Sequence, residues 1–438
     1  MKISLNNEEL EIIEYLSRKP WKIYIVGGFV RDTLLGTPPK DADFVVDAPF
    51  NEVLHYLKQK YTVSKDGIPF KTAKVHVNSK RIDITVPRRE IYEGPAVTEL
   101  ETGSIEEDLS RRDFTINAMA IDVNTGNLID KFNGIKDINT KIIRFVGDPD
   151  ERIREDPLRI LRALRFASIL SFKIEFNTLM ALRRNISLLN YVSGERIRDE
   201  IIKAAPAFLK LFDRVISIGA GNVVFGIDEK VWNSVKHDTR GHHYGESLLD
   251  HSRDLLRYIE GIERINNITI PIEVKLAALY HDSGKIATMK IEGNKITFHD
   301  HPRYSKIFAQ PIIHKFHFNK ATENHILFLI AGHMRFTNLK TQKYSTIAKY
   351  IIDARIHHIP LQWMLNLATL SHVDGHEAPP SSLIKKLYEV DRPKGNRFLN
   401  IAPEYRSNSV RSEWIKIATE VVRNNLMEVI NNDGIDTR

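Results

Sequence analysis

Between Tyr24 and Val46 the chain reads YIVGGFVRDTLLGTPPKDADFVV, with two aspartates a single alanine apart. Side chains alternate along an extended strand, so Asp41 and Asp43 share a face and lie close together. Carboxylates held that close repel unless water or a divalent cation separates them. The flanking Ala42 and Phe44-Val45-Val46 describe a buried sheet, which does not hold unpaired acids without a reason. The stretch therefore predicts a strand over 22–26, a tight turn at Gly27-Gly28, a helix from Phe29 to Leu35 and a second strand over 41–46 offering two acids to a cation.

The rest of the 438 residues bounds what that unit is attached to. At 27% charged and 42% hydrophobic, the chain is too long for one compact core, and two to four domains are expected. No apolar run approaches bilayer length, and the opening MKISLNNEEL carries acids where a signal peptide is apolar, which predicts a cytoplasmic protein without a membrane partner. Cysteine is absent, so any metal must be held by histidine and carboxylate. A net charge of +7 favours an anionic partner such as nucleic acid.

The chain divides by pattern. Residues 5–18 read as an amphipathic helix, TAKVHV and RIDITV as a hairpin joined by NSK, PRREIYEGPAVTELETGSIEEDLS as a loop, and RRDFTINAMAIDV as one more strand. From Asp150 onward the pattern is helical, with breaks near 190–195, 219–222 and 237–245 and at the Pro-rich HEAPPSS. Of 17 histidines only His55 and His76 precede residue 237, so something in the second half uses imidazole. We expect domains over 1–147, 148–236, 237–380 and 381–438.

Two constellations carry chemistry. Gly27 and Gly28 let backbone N–H groups approach a phosphate at a helix start, Arg31 adds a cation one turn on, and Asp32 orients the turn. Transfer of a nucleotide from a triphosphate uses two divalent ions, which Asp41 and Asp43 can hold, with Asp83 of RIDITV as a third ligand if its strand lies alongside. In ERIREDPLRILRALRFA the residues Ile153, Leu161 and Leu164 fall on one helical side and Glu155, Arg159 and Arg162 roughly opposite, while Asp156 suits the cap of a helix starting at Pro157. In the second half, adjacent His281-Asp282 with further histidines on other helices form a nitrogen and oxygen ligand set for one or two transition metals.

GGFVRDTLLG followed by DAD, then RRDFTINAMA, REDPLRILRALRFA and SGERIRDEI, resembles the class II tRNA nucleotidyltransferases, or CCA-adding enzymes, and their bacterial poly(A) polymerase relatives in the polymerase β superfamily. The resemblance implies an α/β (α+β) polymerase β-like head followed by an all-α neck and body. It implies that Asp41 and Asp43 bind Mg2+, that Gly27, Gly28 and Arg31 hold the triphosphate, and that Arg111, Arg112 and Asp113 recognise the ribose and position the nucleotide. Asp156 and Arg159 would act as an amino-acid template for the base edges of CTP and ATP, with Arg162 and Arg165 in the nucleotide-binding set.

ESLLDHSRDLL, ALYHDSGK, FHDHPRYSK, AGHMRF and LSHVDG resemble the HD phosphohydrolases, which implies an all-α domain. Position by position, His251, His281, Asp282 and Asp374 would form a primary metal site and His301 and His333 would complete a second, for Ni, Mn, Fe or Co, with Lys285 at the phosphate. His242 and His243 compete with His251 as first ligand, and FHDHPRY departs from the usual glycine-histidine-glutamate. The expected function is CCA addition to the tRNA 3′ end, joined to hydrolysis of 2′,3′-cyclic or terminal phosphates, in a monomer or homodimer. The alternatives are poly(A), CC-only or A-only addition, an alarmone-type synthetase-hydrolase, and a non-catalytic RNA-binding module. Arg183, Arg184, Arg196, Arg198 and the tail YRSNSVRSEWIK are the expected tRNA contacts.

Overall fold

The structure, a computed structural model, describes residues 5–64, 66–68, 71–78, 80–93, 96–236, 246–293, 295–336, 343–374, 381–390, 411–412 and 414–422. The chain packs as two compact units, Met1–Phe225 and Gly226–Arg438.

The first unit begins with α1 (Asn7–Leu16), β1 (Lys22–Val26), α2 (Gly28–Leu34), β2 (Asp43–Asp47), α3 (Phe50–Lys58), β3 (Thr62–Ser64), β4 (Thr72–Val77) and β5 (Lys80–Thr85). Next come β6 (Arg88–Glu93), β7 (Ala96–Thr102), α4 (Ile105–Ser110), β8 (Ala120–Asp122), β9 (Leu128–Ile129), α5 (Gly134–Thr140) and β10 (Ile142–Ile143). Seven strands form one mixed sheet in the order β3-β4-β5-β2-β1-β8-β9. Ile23 to Val26 of β1 and Phe44 to Val46 of β2 are buried, because strands at the centre of a sheet covered on both faces have no wet side. On one face Tyr24, Val26, Val45 and Ala120 pack against Ile105 and Leu109 of α4.

Two readings of this segment are corrected. The supposed loop from Pro87 contains the hairpin β6·β7 and the helix α4. That hairpin stands outside the main sheet as a separate two-stranded sheet, so its sequence lacks the apolar alternation of a core strand. The helix α4 is announced by a capping box, in which Ser104 Oγ accepts from Glu107 N and Glu107 Oε2 from Ser104 N. Within RRDFTINAMAIDV only Ala120–Asp122 is strand, preceded by a 3₁₀ turn at Thr115–Asn117.

The unit continues with α6 (Pro149–Glu155), α7 (Arg159–Ile169), β11 (Lys173–Ile174), α8 (Phe176–Arg184), α9 (Gly194–Lys203), α10 (Phe208–Ser217) and α11 (Gly221–Phe225). The stretch read as one helix from residue 151 is two, because Asp156, which precedes a proline, is extended at φ −148° and ψ 99°. Its carboxylate accepts from Leu158 N at 3.2 Å in the turn before α7, but the helix starts at Arg159 and not at Pro157, with Leu158 as its N-cap, so Asp156 is not the cap the sequence pattern predicted.

The second unit holds α12 (Glu229–Ser234), α13 (Leu248–Asn266), α14 (Ile272–Tyr280), α15 (Lys285–Thr288), β12 (Met289–Glu292), β13 (Lys295–Phe298), α16 (His301–Lys315), α17 (Lys320–Gly332), α18 (Tyr344–Ile356), α19 (Leu361–Val373) and α20 (Ser381–Glu389). Among the described residues it is mainly helical, with the hairpin β12·β13, which the all-α expectation omitted. Among the described residues no helix is long and apolar enough to cross a membrane. His242 and His243 lie outside the described residues.

Candidate functional site

The sheet, α2 and α7 converge on a cavity of about 540 Å³. Gly27, Gly28, Arg31 and Asp43 line it from β1, α2 and β2; Arg111, Arg112, Asp113 and Asn117 from the segment after α4; Asp156, Arg159, Arg162, Arg165 and Phe166 from the α6–α7 bend and α7. Every residue expected to bind nucleotide is therefore in one wall or another.

Gly27 is needed for two reasons. Its φ is +73°, and a Cβ there would lie 2.8 Å from Arg112 Nη1. Its amide, however, donates to Met119 O at 3.3 Å, so the N–H groups left for an anion begin with the first turn of α2, whose amides have no intrahelical acceptors. Gly27 contributes space, not a donor.

The carboxylates are arranged unequally. Asp43 heads β2 at the cavity mouth, and Asp83 is beside it because β2 and β5 pair in parallel with Phe44 opposite Ile84. Surrounding protein raises the Asp43 pKa by desolvation; Arg112 works against this, while the charges of Asp83 and Asp41 raise it further. That electrostatic frustration is what a hard divalent cation relieves, so the donor set fits Mg2+. Asp41 lies just before the strand with its side chain 73% exposed, 3.2 Å from Lys80 Nζ. Asp83 is 3.8 Å from the Arg81 guanidinium.

A layer of acids and amides, of which the sequence reading selected only Asp113, holds the arginines. Asp108, fully buried, takes Arg111 at 2.6 Å and Arg112 at 3.2 Å, and the two guanidiniums lower its pKa against the desolvation that would raise it. Asn117 Oδ1 accepts from Arg31 Nη1 at 2.7 Å and its Nδ2 donates to Asp113 at 3.0 Å. Asp113 also accepts from Phe114 N and from Arg162 at 2.5 Å; despite burial these partners depress its pKa. Its oxygens are thus engaged, and it orients Arg162. Glu200 of α9 takes Arg165 at 2.5 Å and approaches Arg162 at 3.6 Å. Arg31, Arg162 and Arg165 all lie over the ring of Phe166, at 5.1, 5.5 and 4.0 Å.

The expected template pair is held in place as well. Arg159 Nη1 donates to Glu155 at 2.6 Å and to Arg152 O, and its Nη2 donates to Arg111 O. Asp156 is bridged by Arg196 at 2.8 Å. Of the other expected tRNA contacts, Arg184 pairs with Asp150, Arg198 with Asp199, and Arg183 donates to Ser217 O. In the tail, Arg411 is paired to Asp353, whereas Tyr405 and Arg406 lie outside the described residues.

The second unit gathers all six expected metal ligands. His251 Nε2 and His281 Nε2 are 3.3 Å apart, and each is 3.3 Å from Asp374 Oδ1. His301 Nε2 and His333 Nε2 are 3.2 Å apart. Asp282 divides its oxygens: Oδ2 is 3.3 Å from His281, and Oδ1 is 3.1 Å from His301. Ligands about 2.1 Å from one metal at tetrahedral to octahedral angles are about 3.0–3.4 Å from each other, which matches these separations. His281, His301 and His333 have Nδ1 within 3.0 Å of the carbonyls of Ala278, Phe298 and Ile330, the arrangement that leaves Nε2 to a metal. Burial alone would discharge His281, yet Asp282 and Asp374 push its pKa up to about 10, a field that favours a cation. His333 is pushed down to about 3 by its burial and by the neighbouring charge of His281, and stays a neutral donor. Lys285 Nζ lies 2.5 Å from Asp282.

One glycine lets the two sets meet. Gly284 N donates to Ser305 Oγ at 2.8 Å, and a Cβ at this position would fall 2.2 Å from His301 O and 2.4 Å from Ser305 N, so α16 rests directly on that backbone.

Comparison with known proteins adds independent observations. Residues 23–144 match the Poly A polymerase head domain, and residues 171–204 match the probable RNA and SrmB-binding site of polymerase A. The chain is 42% identical over 199 residues to a CCA-adding enzyme of Ligilactobacillus salivarius, covering 44% of this chain and 48% of the relative. It is 44% identical over 187 residues to an A-adding tRNA nucleotidyltransferase of Aquifex aeolicus, covering 41% of this chain and 22% of the relative. The chain thus spans about half the length, or less, of these curated relatives. Among solved structures, the Bacillus stearothermophilus CCA-adding enzyme in complex with CTP aligns over 97% of this chain and 98% of its own, with a TM-score of 0.66 and 21% identity. A tRNA nucleotidyltransferase complexed with a primer tRNA and an incoming ATP analog aligns over 86% and 96%, with a TM-score of 0.56 and 25% identity.

Proposed function

We propose that this chain is a class II tRNA nucleotidyltransferase that adds CCA to the tRNA 3′ end from CTP and ATP, in the cytoplasm. The observation that carries the reading is the single arginine-lined cavity in which Gly28, Arg31, Asp43, Arg111, Arg112 and the Asp156–Arg159 pair all meet. Six arginines around a chamber this size suit a triphosphate, and one carboxylate with one guanidinium can mimic a complementary base edge. Mg2+ held by Asp41 and Asp43, with Asp83 alongside, would supply activation of the attacking hydroxyl and neutralisation of the leaving pyrophosphate. The chain's own part is positioning: Arg31 and the first turn of α2 hold phosphates, Arg111 and Arg112 fix the sugar end, and Asp156 with Arg159 select the base. The match to a CCA-adding relative supports this reading, and the match to an A-adding relative supports nucleotide addition to tRNA in general.

The test is to supply tRNA lacking its 3′ terminus with each nucleotide separately and together. Addition of two C residues followed by one A is expected. A homopolymer of A, or a stop after CC or before it, would assign the poly(A), CC-only or A-only alternative instead.

A second activity is favoured by the six converging ligands of the other unit. We infer a metal-dependent phosphohydrolase acting on 2′,3′-cyclic or terminal phosphates, so that an RNA end is cleared before a hydroxyl attacks. The imidazole-rich set suits a transition ion better than Mg2+. Metal analysis of the purified protein and hydrolysis of 2′,3′-cyclic nucleotides test it.

A further inference from the structure

The helix α1 lies before the head-domain match, which starts at residue 23, and carries none of the motifs, yet it reaches the aspartate pair. Glu9 is 3% exposed. Its Oε2 closes a capping box with Asn6 N at 3.0 Å, and its Oε1 accepts from Ala42 N, the amide between the two aspartates, at 3.2 Å. The same Oε1 accepts from Lys80 Nζ at 2.8 Å. Lys80, on β5, has its ammonium 3.2 Å from Asp41 Oδ1 as well. One ammonium therefore sits between a buried carboxylate and a solvent-facing one that the proposed chemistry needs for a metal.

We infer that Lys80 is a resident counter-cation for Asp41 and that Glu9 is the acid it falls back on when a divalent ion takes Asp41. The inference rests on the reading of the head as a metal-dependent transfer site. The two partners are unequal in a way that suits an exchange. Glu9 is fixed by α1 and by two backbone amides, whereas Asp41 is 73% exposed and free to turn. Lys80 lowers the repulsion among Asp41, Asp43 and Asp83 in the metal-free protein, and a metal entering at Asp41 must compete with it. Glu9 shifts that competition towards the metal, because it keeps the ammonium paired after Asp41 is lost. Lys80 and Glu9 are thus positioning residues, not catalytic ones.

The test measures Mn2+ binding to the full chain at low ionic strength, by electron paramagnetic resonance of the free ion. Only the class of sites removed by Asp43→Ala is counted, which separates the head from the histidine cluster. Lys80→Met should tighten that class about 30-fold, the effect of one unit charge on a divalent ion about 4 Å away in a water-like dielectric. Glu9→Gln, which keeps an acceptor for Ala42 N, should weaken it severalfold, and this loss should shrink in the Lys80→Met background. Lys80→Gln, with a polar end, guards against a packing defect and should act in the same direction as Lys80→Met. A purely structural pair would weaken binding in every variant. If Asp43→Ala removes no sites, the metal reading falls and this inference with it. If Asp43→Ala removes sites but Lys80→Met and Lys80→Gln weaken binding, or the Glu9→Gln loss is the same in both backgrounds, the exchange alone is overturned.

Discussion

Gly27→Ala perturbs the cavity through a single methyl group. The native backbone at this position has φ 73° and ψ −129°, a region that L residues avoid, and holding alanine there costs about 1–3 kcal/mol. For a unit of this size about 2 kcal/mol corresponds to a fall in melting temperature of about 4–8 °C. The methyl also lands 2.8 Å from Arg112 Nη1, inside contact distance, so the guanidinium must move. Arg112 is the cation that opposes the rise of the Asp43 pKa. With it displaced, Asp43 holds its proton to higher pH, and because the ionised form is the one that binds a cation, the acid limb of the pH–rate profile moves up. Loss of one fixed guanidinium from a transfer site should lower kcat/KM by about 10²-fold. The assay combines single-nucleotide addition to a truncated tRNA between pH 5 and 9 with thermal melting. Gly28→Ala is the control, since a Cβ there meets Arg31 only at 3.5 Å and the backbone is not left-handed. A Gly27→Ala protein with unaltered melting and an unshifted acid limb would refute the reasoning.

Arg159→Ala should impair choice between CTP and ATP more than triphosphate affinity; equal loss with every nucleotide and no misincorporation would leave Arg159 a purely structural role. Asp108→Asn should destabilise the head by about 2 kcal/mol at pH 7, below the usual cost of breaking a buried pair because its arginines are partly exposed. The folded-state pKa of Asp108 is depressed, so its contribution is present above the unfolded carboxylate pKa and lost as pH falls through the folded one. The difference between wild type and variant should therefore close in acid, and a constant gap down to pH 2 would count against the ion-pair account. His281→Ala with Asp282→Ala should abolish bound transition metal and lower 2′,3′-cyclic phosphate hydrolysis by about 10³-fold or more while sparing addition to a tRNA with a free 3′-hydroxyl. Retained metal and retained hydrolysis in that double variant would reduce the cluster to scaffold.

The central strands were legible because β1 and β2 are apolar on both faces and broken by Gly27-Gly28, a pattern few other elements produce. Cavity-lining residues were legible for a different reason: Asp-Ala-Asp suggested a cation site by its own spacing, whereas Arg-Arg-Asp and Glu-Asp-Pro-Leu-Arg were singled out by the resemblance of the ordered motifs to a known family. What escaped was the support behind them. Asp108 and Glu200 stand among other acids on charged helices, and which acid turns inward to an arginine is chosen by tertiary packing, which periodicity does not encode. Phe166, which carries three guanidiniums on its ring, was not among the residues singled out in the sequence. The capping box at Ser104 and Glu107 was a readable signal that the dense charge around it obscured. Asp41 was read as a strand residue, but the ladder starts at Asp43 and Asp41 turns to Lys80.

The contact at Gly284 has a consequence for how the histidine cluster can vary. His251, His281 and Asp374 are assembled by α13, α14 and the end of α19, whereas His301 is delivered by α16, whose first turn lies on the Gly284 backbone. Any side chain at 284 would push that helix away through the main chain of His301 and Ser305, without meeting an imidazole or a carboxylate. On the proposed metal reading, such a mutation would withdraw His301 and turn a two-ion centre into a one-ion centre while leaving every histidine and aspartate in the sequence unchanged.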